Sequence, residues 1–126
     1  MGKFIISKNS QGYTFSIKAD NGEIIGTGGE VITTLDNINK SIESVKKNAP
    51  IAAVEDQTVD GYEQEKNPKF EIYLDKKGEF RFRLKETNGE KILASEGYTT
   101  KANCKKGIES VVKNAPTATV VGPEAV

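Results

Sequence analysis

The sequence predicts an α+β fold, a single domain made of two tandem β-β-β-α-β units that share one core. Three observations predict it. The chain repeats itself at an offset of 66 residues. Each copy opens with runs in which apolar and polar residues alternate, and each then carries apolar residues at helical spacing.

The repeat is clearest where residues 30–50 align, without a gap, on residues 96–116. Thirteen of those 21 positions are identical, from Glu30/Glu96 and Thr33/Thr99 through Glu43/Glu109 and Ser44/Ser110 to Pro50/Pro116. Upstream, Lys3-Phe4 matches Lys69-Phe70, and Asn21-Gly22-Glu23 matches Asn88-Gly89-Glu90 after a slip of one residue. We take repeat one as residues 3–55, a connector as 56–68 and repeat two as 69–121. A unit of about 50 residues buries too little surface to be secure alone, so the two are expected to share a core.

The first strand of repeat two is predicted from Phe70, Ile72 and Leu74 alternating with Glu71 and Tyr73. A turn at Asp75-Lys76-Lys77-Gly78 follows. Phe80, Phe82 and Leu84 then alternate with Arg81, Arg83 and Lys85, the clearest strand in the chain. Asn88-Gly89 reads as a type I′ hairpin turn, because both residues tolerate positive φ. A third strand spans residues 91–95. Repeat one reads the same way, with Phe4 and Ile6, then Tyr13, Phe15 and Ile17, the turn Asn21-Gly22, and a third strand at 23–26.

A helix follows in each unit. Thr33-Thr34 and Thr99-Thr100 can supply an N-cap oxygen to amides that have no partner within the helix. Leu35, Ile38, Ile42 and Val45 form one apolar stripe, matched by Cys104, Ile108 and Val111. Asn48-Ala49-Pro50 and Asn114-Ala115-Pro116 end the helices, since proline lacks the amide and disfavours helix in the residue before it. Short β-prone runs at 51–54 and 117–121 complete the units.

Composition excludes much chemistry. The 126 residues include 18 basic and 18 acidic side chains, no His and one Cys. Without histidine there is no Ser-His-Asp or Cys-His site and no His-ligated metal. One cysteine allows no internal disulfide and no thiolate zinc cluster. The zero net charge is a cancellation. Residues 3–50 carry +1 and residues 69–116 carry +4, against −4 in residues 51–68 and −1 from Glu124. No apolar run is long enough to span a bilayer, and the amino terminus has no secretory h-region. Gly2 lacks the Ser or Thr that a myristoylation motif wants at Ile6. A cytoplasmic location without membrane association is expected.

Several of these segments together resemble the YegP-like family of small, mostly bacterial proteins. They are Lys69-Phe70-Glu71-Ile72-Tyr73, the run from Gly78 through Phe80-Arg81-Phe82-Arg83 to Lys85, Asn88-Gly89-Glu90, and Ile92-Leu93-Ala94-Ser95-Glu96-Gly97-Tyr98. Gly107-Ile108-Glu109-Ser110-Val111 and Lys113-Asn114-Ala115-Pro116 look like that family's helix signature. The resemblance covers about three quarters of the chain. It implies two β-β-β-α-β units forming one mainly antiparallel sheet with two helices on one face. It also implies exchange of the C-terminal strands, so that residues 51–54 pair beside repeat two and 117–121 beside repeat one. It implies no activity, because the family has no established function. Gly26-Thr27-Gly28-Gly29 departs from the pattern, so a bulge or break is expected in the third strand of repeat one.

Four places invite a functional reading. Cys104 has lysines nearby that could stabilise a thiolate. Its counterpart in repeat one is Ile38, however, which favours a small buried hydrophobe. Gly26-Thr27-Gly28-Gly29 lies between strand and helix but lacks the spacing of a phosphate loop. Asp20, Glu23, Glu86 and Glu90 flank hairpin turns, with no spacing that gathers a catalytic pair. Tyr73, Arg81, Arg83 and Lys85 fall on one face of the clearest strand and its neighbour, and they form the candidate binding face. Pairing of that row with Glu71 or Glu79 is the competing account.

The expectation is therefore a non-enzymatic binding or protein-interaction module with no cofactor and no metal, whose partner is a protein or an acidic ligand. Weak nucleic-acid or anion binding through Arg81 and Arg83 is the alternative, and a small-molecule enzyme comes third. Because the tandem pair already mimics a dimer internally, a monomer is expected rather than a homodimer.

Overall fold

A computed structural model describes residues 2–125; Met1 and Val126, at the ends of the chain, lie outside the described residues. Repeat one contributes β1 (Lys3–Asn9), β2 (Gly12–Lys18), β3 (Ile24–Thr27), α1 (Leu35–Asn48) and β4 (Ala53–Asp56). Repeat two contributes β5 (Lys69–Leu74), β6 (Phe80–Lys85), β7 (Lys91–Ala94), α2 (Lys101–Asn114) and β8 (Thr119–Ala125). The strands form one eight-stranded sheet in the order β4-β5-β6-β7-β3-β2-β1-β8. The repeats meet in the middle, where Thr27 of β3 pairs with Ala94 of β7.

The C-terminal strands are exchanged. β4 leaves repeat one and pairs in parallel with β5, with Val54 opposite Phe70 and Glu55 opposite Glu71. β8 leaves repeat two and pairs in parallel with β1, with Val120 opposite Phe4 and Val121 opposite Ile5. The other strand pairs are antiparallel.

Alternation decides which face is dry. Phe4, Ile6, Phe15 and Ile17 of repeat one, and Phe70, Ile72, Phe82 and Leu84 of repeat two, turn to the same side and are buried. Ile38, Ile42 and Val45 of α1 and Cys104, Ile108 and Val111 of α2 close over them as one cluster. Each helix spans the joint, α1 touching β2 and β7 and α2 touching β6 and β3. Removing either repeat would uncover the core of the other. Leu35, expected on the apolar stripe of α1, is instead exposed, because at the first helical position it lies beyond the edge of the core.

Local chemistry follows the caps. Thr34 Oγ1 accepts from the Asn37 amide at 3.2 Å, and Thr100 Oγ1 accepts from the Asn103 amide at 3.1 Å. Both helices tighten into a 3₁₀ turn, Ala49–Ile51 and Ala115–Thr117, around the expected prolines. Ile51 is therefore in the turn and not in the strand, and β4 begins at Ala53.

Two details differ from the expectation. The hairpins at Asn21-Gly22 and Asn88-Gly89 are not type I′, since among the described residues only glycines have positive φ. Gly22 (φ 84°) donates to the Ala19 carbonyl, and Gly89 (φ 87°) donates to the Glu86 carbonyl. Each is thus the left-handed residue after an ordinary turn. Asn21 and Asn88 keep negative φ, and their side-chain oxygens accept the Glu23 and Glu90 amides, each at 2.9 Å. The second difference concerns the bulge, which occurs in both repeats. Ile25 is the extra residue in β3, and Ile92 is the extra residue in β7. A bulge places two consecutive side chains toward the same side. Ile25-Gly26 and Ile92-Leu93 are accordingly all buried, and β3 remains intact.

Candidate binding face

The side of the sheet away from the helices carries the candidate residues. Arg81, Arg83 and Lys85 of β6 lie opposite Tyr73, Glu71 and Lys69 of β5 in antiparallel register. The sheet thus brings Tyr73, Arg81, Arg83 and Lys85 together on one face. The same registry supplies their counter-charges. Arg83 Nε donates to Glu71 Oε1 at 2.6 Å, and its guanidinium lies 4.3 Å from the centre of the Tyr73 ring. Lys85 Nζ is 3.3 Å from the same carboxylate. Arg81 Nε donates to Asp75 Oδ2 at 2.7 Å, and a terminal nitrogen of Arg81 donates to the Ser95 carbonyl at 3.3 Å. Glu71 is the expected cross-strand partner. Asp75, from the turn after β5, takes the place that Glu79 was expected to fill.

Beneath this row lies a charge cluster that sequence reasoning missed. Glu55, Lys69 and Glu71 are buried although all three are charged. Lys69 Nζ donates to Glu55 Oε1 at 2.8 Å and sits 3.3 Å from Glu71 Oε2. Glu55 also accepts from Gln57 Nε2 at 2.6 Å and from the Glu65 amide at 2.7 Å. The connector therefore turns back onto this side of the sheet and helps to close the cluster. Burial alone would raise the Glu55 carboxyl, but the hydrogen bonds from Lys69, Gln57 and the Glu65 amide outweigh it and hold the group down at about 2. Glu71 is also opposed by burial, yet Arg83 and Lys69 keep it below the usual glutamate value. Lys69 is raised, chiefly by its bond to Glu55. The sequence signal was faint: a charged residue at the start of β5 and another in β4, with partners fixed only by strand exchange.

The other candidates are placed as follows. Cys104 is fully buried in the core, and desolvation pushes its thiol up to about 11. Gly26 and Gly28 are packing positions. A Cβ on Gly26 would meet Leu93 at 2.8 Å, and one on Gly28 would run into the Phe15 ring. The four turn carboxylates are not assembled. Glu86 lines a groove of about 450 Å³ against α1 and accepts from Ser44 Oγ at 2.5 Å, whereas Asp20 and Glu23 line clefts beside α2. Among the described residues, no helix is long and apolar enough to cross a membrane.

Comparison with known proteins places these features in company. The profile of a domain of unknown function, DUF1508, matches residues 8–56 and 75–121, one segment in each repeat. The UPF0339 protein in the ptx operon 5′ region of Stutzerimonas stutzeri is 70% identical over 47 residues, covering 37% of this chain and 42% of that protein. The chain therefore matches less than half the length of that relative. The UPF0339 protein plu2779 of Photorhabdus laumondii is 40% identical over 114 residues, covering 90% of this chain and 85% of its own. The solution NMR structure of yegP from E. coli, a protein of unknown function, superposes with a TM-score of 0.76 at 31% identity. That match covers 98% of this chain and 93% of that one.

Proposed function

Since the chain belongs to the DUF1508 family, whose name assigns no activity, we propose its role from the geometry: a non-enzymatic module that binds a protein partner on the sheet face of β5 and β6. One observation carries the reading. Arg83 is held at once by Glu71, at 2.6 Å, and by the Tyr73 ring, at 4.3 Å, on a face that the helices do not cover. Arginine and tyrosine are the residue types that concentrate binding energy in protein interfaces. A side chain already fixed by its neighbours loses less conformational freedom on docking. Arg83 and Lys85 are about one third exposed, so each offers a partner its surface while keeping its ion pair.

The same ion pairs weigh against the nucleic-acid reading. Phosphate binding draws its affinity from uncompensated cations, and here Arg81, Arg83 and Lys85 each face a carboxylate of the chain itself. A monomer is part of the proposal, supported by the joint between β3 and β7 that already unites two equivalent halves. So is a cytoplasmic location, to which the free, buried thiol of Cys104 is suited.

The test is selection from a displayed random-peptide library against the wild-type chain and against Tyr73→Ala/Arg83→Ala. Peptides enriched by the wild type and lost with the double variant sustain the proposal. Single-stranded oligonucleotide retention that falls steeply with salt, with no peptide enriched, replaces it by the alternative.

A further inference from the structure

The two repeats treat the same pair of lysines differently. Lys69 of β5 lies directly opposite Lys85 of β6, and Lys3 of β1 lies directly opposite Lys18 of β2. Like charges placed opposite one another on a sheet repel. Repeat two relieves the repulsion with two carboxylates. Glu71 is 3.3 Å from both Lys69 and Lys85, and Glu55 is 2.8 Å from Lys69.

Register shows what stands at those positions in repeat one. Glu71 and Glu55 are paired residues of β5 and β4, and their equivalents, Ile5 and Val121, are paired residues of β1 and β8. Repeat one thus keeps both ammonium groups and has an apolar side chain in place of each carboxylate. Among the described residues neither Lys3 nor Lys18 has an ion pair. Lys3 and Val121 are exposed, and Ile5 and Lys18 are partly so. These four residues face the side of the sheet opposite the helices, since the alternate residues Phe4 and Ile17 point into the core.

We propose that this face of repeat one, at Lys3, Lys18, Ile5 and Val121, docks an acidic extended segment of a partner protein, whose carboxylates meet Lys3 and Lys18 as Glu71 and Glu55 meet Lys69 and Lys85 in repeat two. The chain's second repeat is the template for the contact. An extended peptide presents same-side residues every second position, about 7 Å apart, which is also the spacing from Lys3 to Ile5 along β1. A segment alternating in this way sets a carboxylate over the lysines and an apolar side chain over Ile5 and Val121. The apolar pair beside the cations favours a peptide over a phosphate backbone. This inference rests on the reading of the chain as a binding module, but not on that module's site at Tyr73 and Arg83.

The experiment titrates the full, isotope-labelled chain with an alternating glutamate-valine hexapeptide at low salt and follows the backbone amides by NMR. Expected are shifts centred on Lys3, Ile5 and Lys18, and roughly tenfold weaker binding for Lys3→Gln/Lys18→Gln, the scale of two exposed ion pairs. Ile5→Glu, which restores an internal carboxylate with both lysines in place, is expected to weaken the peptide as well. Lys105→Gln, which removes an exposed lysine of α2, is expected to bind as the wild type does. Shifts centred on Tyr73 and Arg83 that persist in Lys3→Gln/Lys18→Gln would overturn this location while sustaining the module reading. No shift with this alternating peptide overturns the proposal outright. So does a single-stranded oligonucleotide that displaces the peptide from the same lysines and binds more tightly.

Discussion

Glu55 and Lys69 face each other at 2.8 Å across the parallel pair β4 and β5, both nearly closed to water. This contact joins the last strand of one repeat to the first strand of the next. Because Glu55 also holds Gln57 and the Glu65 amide, it fixes the connector near both of its ends. Removing one member of a buried charge cluster leaves the others unbalanced, and without Glu55 the Lys69 ammonium keeps only Glu71, at 3.3 Å. Glu55→Gln is expected to destabilise the fold by about 3 kcal/mol. Arg83→Ala, which removes a partly exposed partner of Glu71 while Lys69 and Lys85 remain, is expected to cost less than about 1 kcal/mol. Urea unfolding of the two variants beside the wild type checks the contrast.

The cluster also predicts the response to pH. Glu55 in the folded chain sits at about 2, below the usual glutamate value of 4.5. Glu71, Asp56 and Asp75 are displaced in the same direction. A carboxyl lowered by folding contributes stability that is complete above its unfolded value and is lost as pH falls toward its folded value. Stability should therefore decline from about pH 5 toward pH 2, and Glu55→Gln should flatten that decline. Lys69 is raised by folding, so its contribution holds below the unfolded value of 10.5 and is lost only as pH rises beyond it. Thermal denaturation across that acid range in both proteins makes the comparison.

Much of this fold was legible because it is local and written twice. The strands of Phe70-Ile72 and Phe80-Phe82-Leu84, the caps at Thr34 and Thr100, and the terminating prolines each follow from a few neighbouring residues. The exchange of β4 and β8 is not local. Nothing in residues 51–54 says which repeat they join, and only the family resemblance carried that expectation. The candidate face was half legible in the same sense. Alternation put Arg81, Arg83 and Lys85 on one side, but their neutralisation depends on Glu71, Asp75 and a strand register that spacing cannot supply. The buried Glu55–Lys69 pair lies furthest from sequence reach. Its partners are 14 residues apart and meet only because a strand from one repeat has joined the other.

The glycines near the end of β3 separate packing from conformation. Gly28 lies against Phe15, where a Cβ would run into the ring of a buried core residue. Gly29 has open space around it but a φ of 85°. Gly28→Ala must move the ring and is expected to cost about 1–3 kcal/mol, the scale of overpacking in a core. Gly29→Ala carries only the backbone penalty of a Cβ in the left-handed region, about 1 kcal/mol. Equal losses, measured as denaturant midpoints at constant m-value, would show that the Phe15 ring yields freely.

Cys104 is predicted to be silent in the native state. Its thiol is buried between α2 and the sheet, and desolvation pushes it up to about 11, so thiolate is scarce at neutral pH. Labelling by a water-soluble disulfide reagent should occur only on unfolding. Its rate should follow the wild-type stability and rise in Glu55→Gln. Rapid labelling under native conditions would contradict both the burial and the role of the residue as the counterpart of Ile38.

The two caps test whether the repeats melt as one. Thr34 and Thr100 each satisfy one helix amide, at 3.2 Å and 3.1 Å, and they stand at equivalent positions of different helices. Replacing an N-cap threonine by alanine costs about 1 kcal/mol. Because the two caps share no partner, their losses should add to within about 0.5 kcal/mol in Thr34→Ala/Thr100→Ala. The helices, however, cross the joint: α1 touches β7 of repeat two, and α2 touches β3 of repeat one. Loss of either cap should therefore lower the midpoint of a single transition for the whole chain. Two separated transitions in the single variants, seen by circular dichroism and by Tyr fluorescence, would mean that the shared core does not couple the repeats.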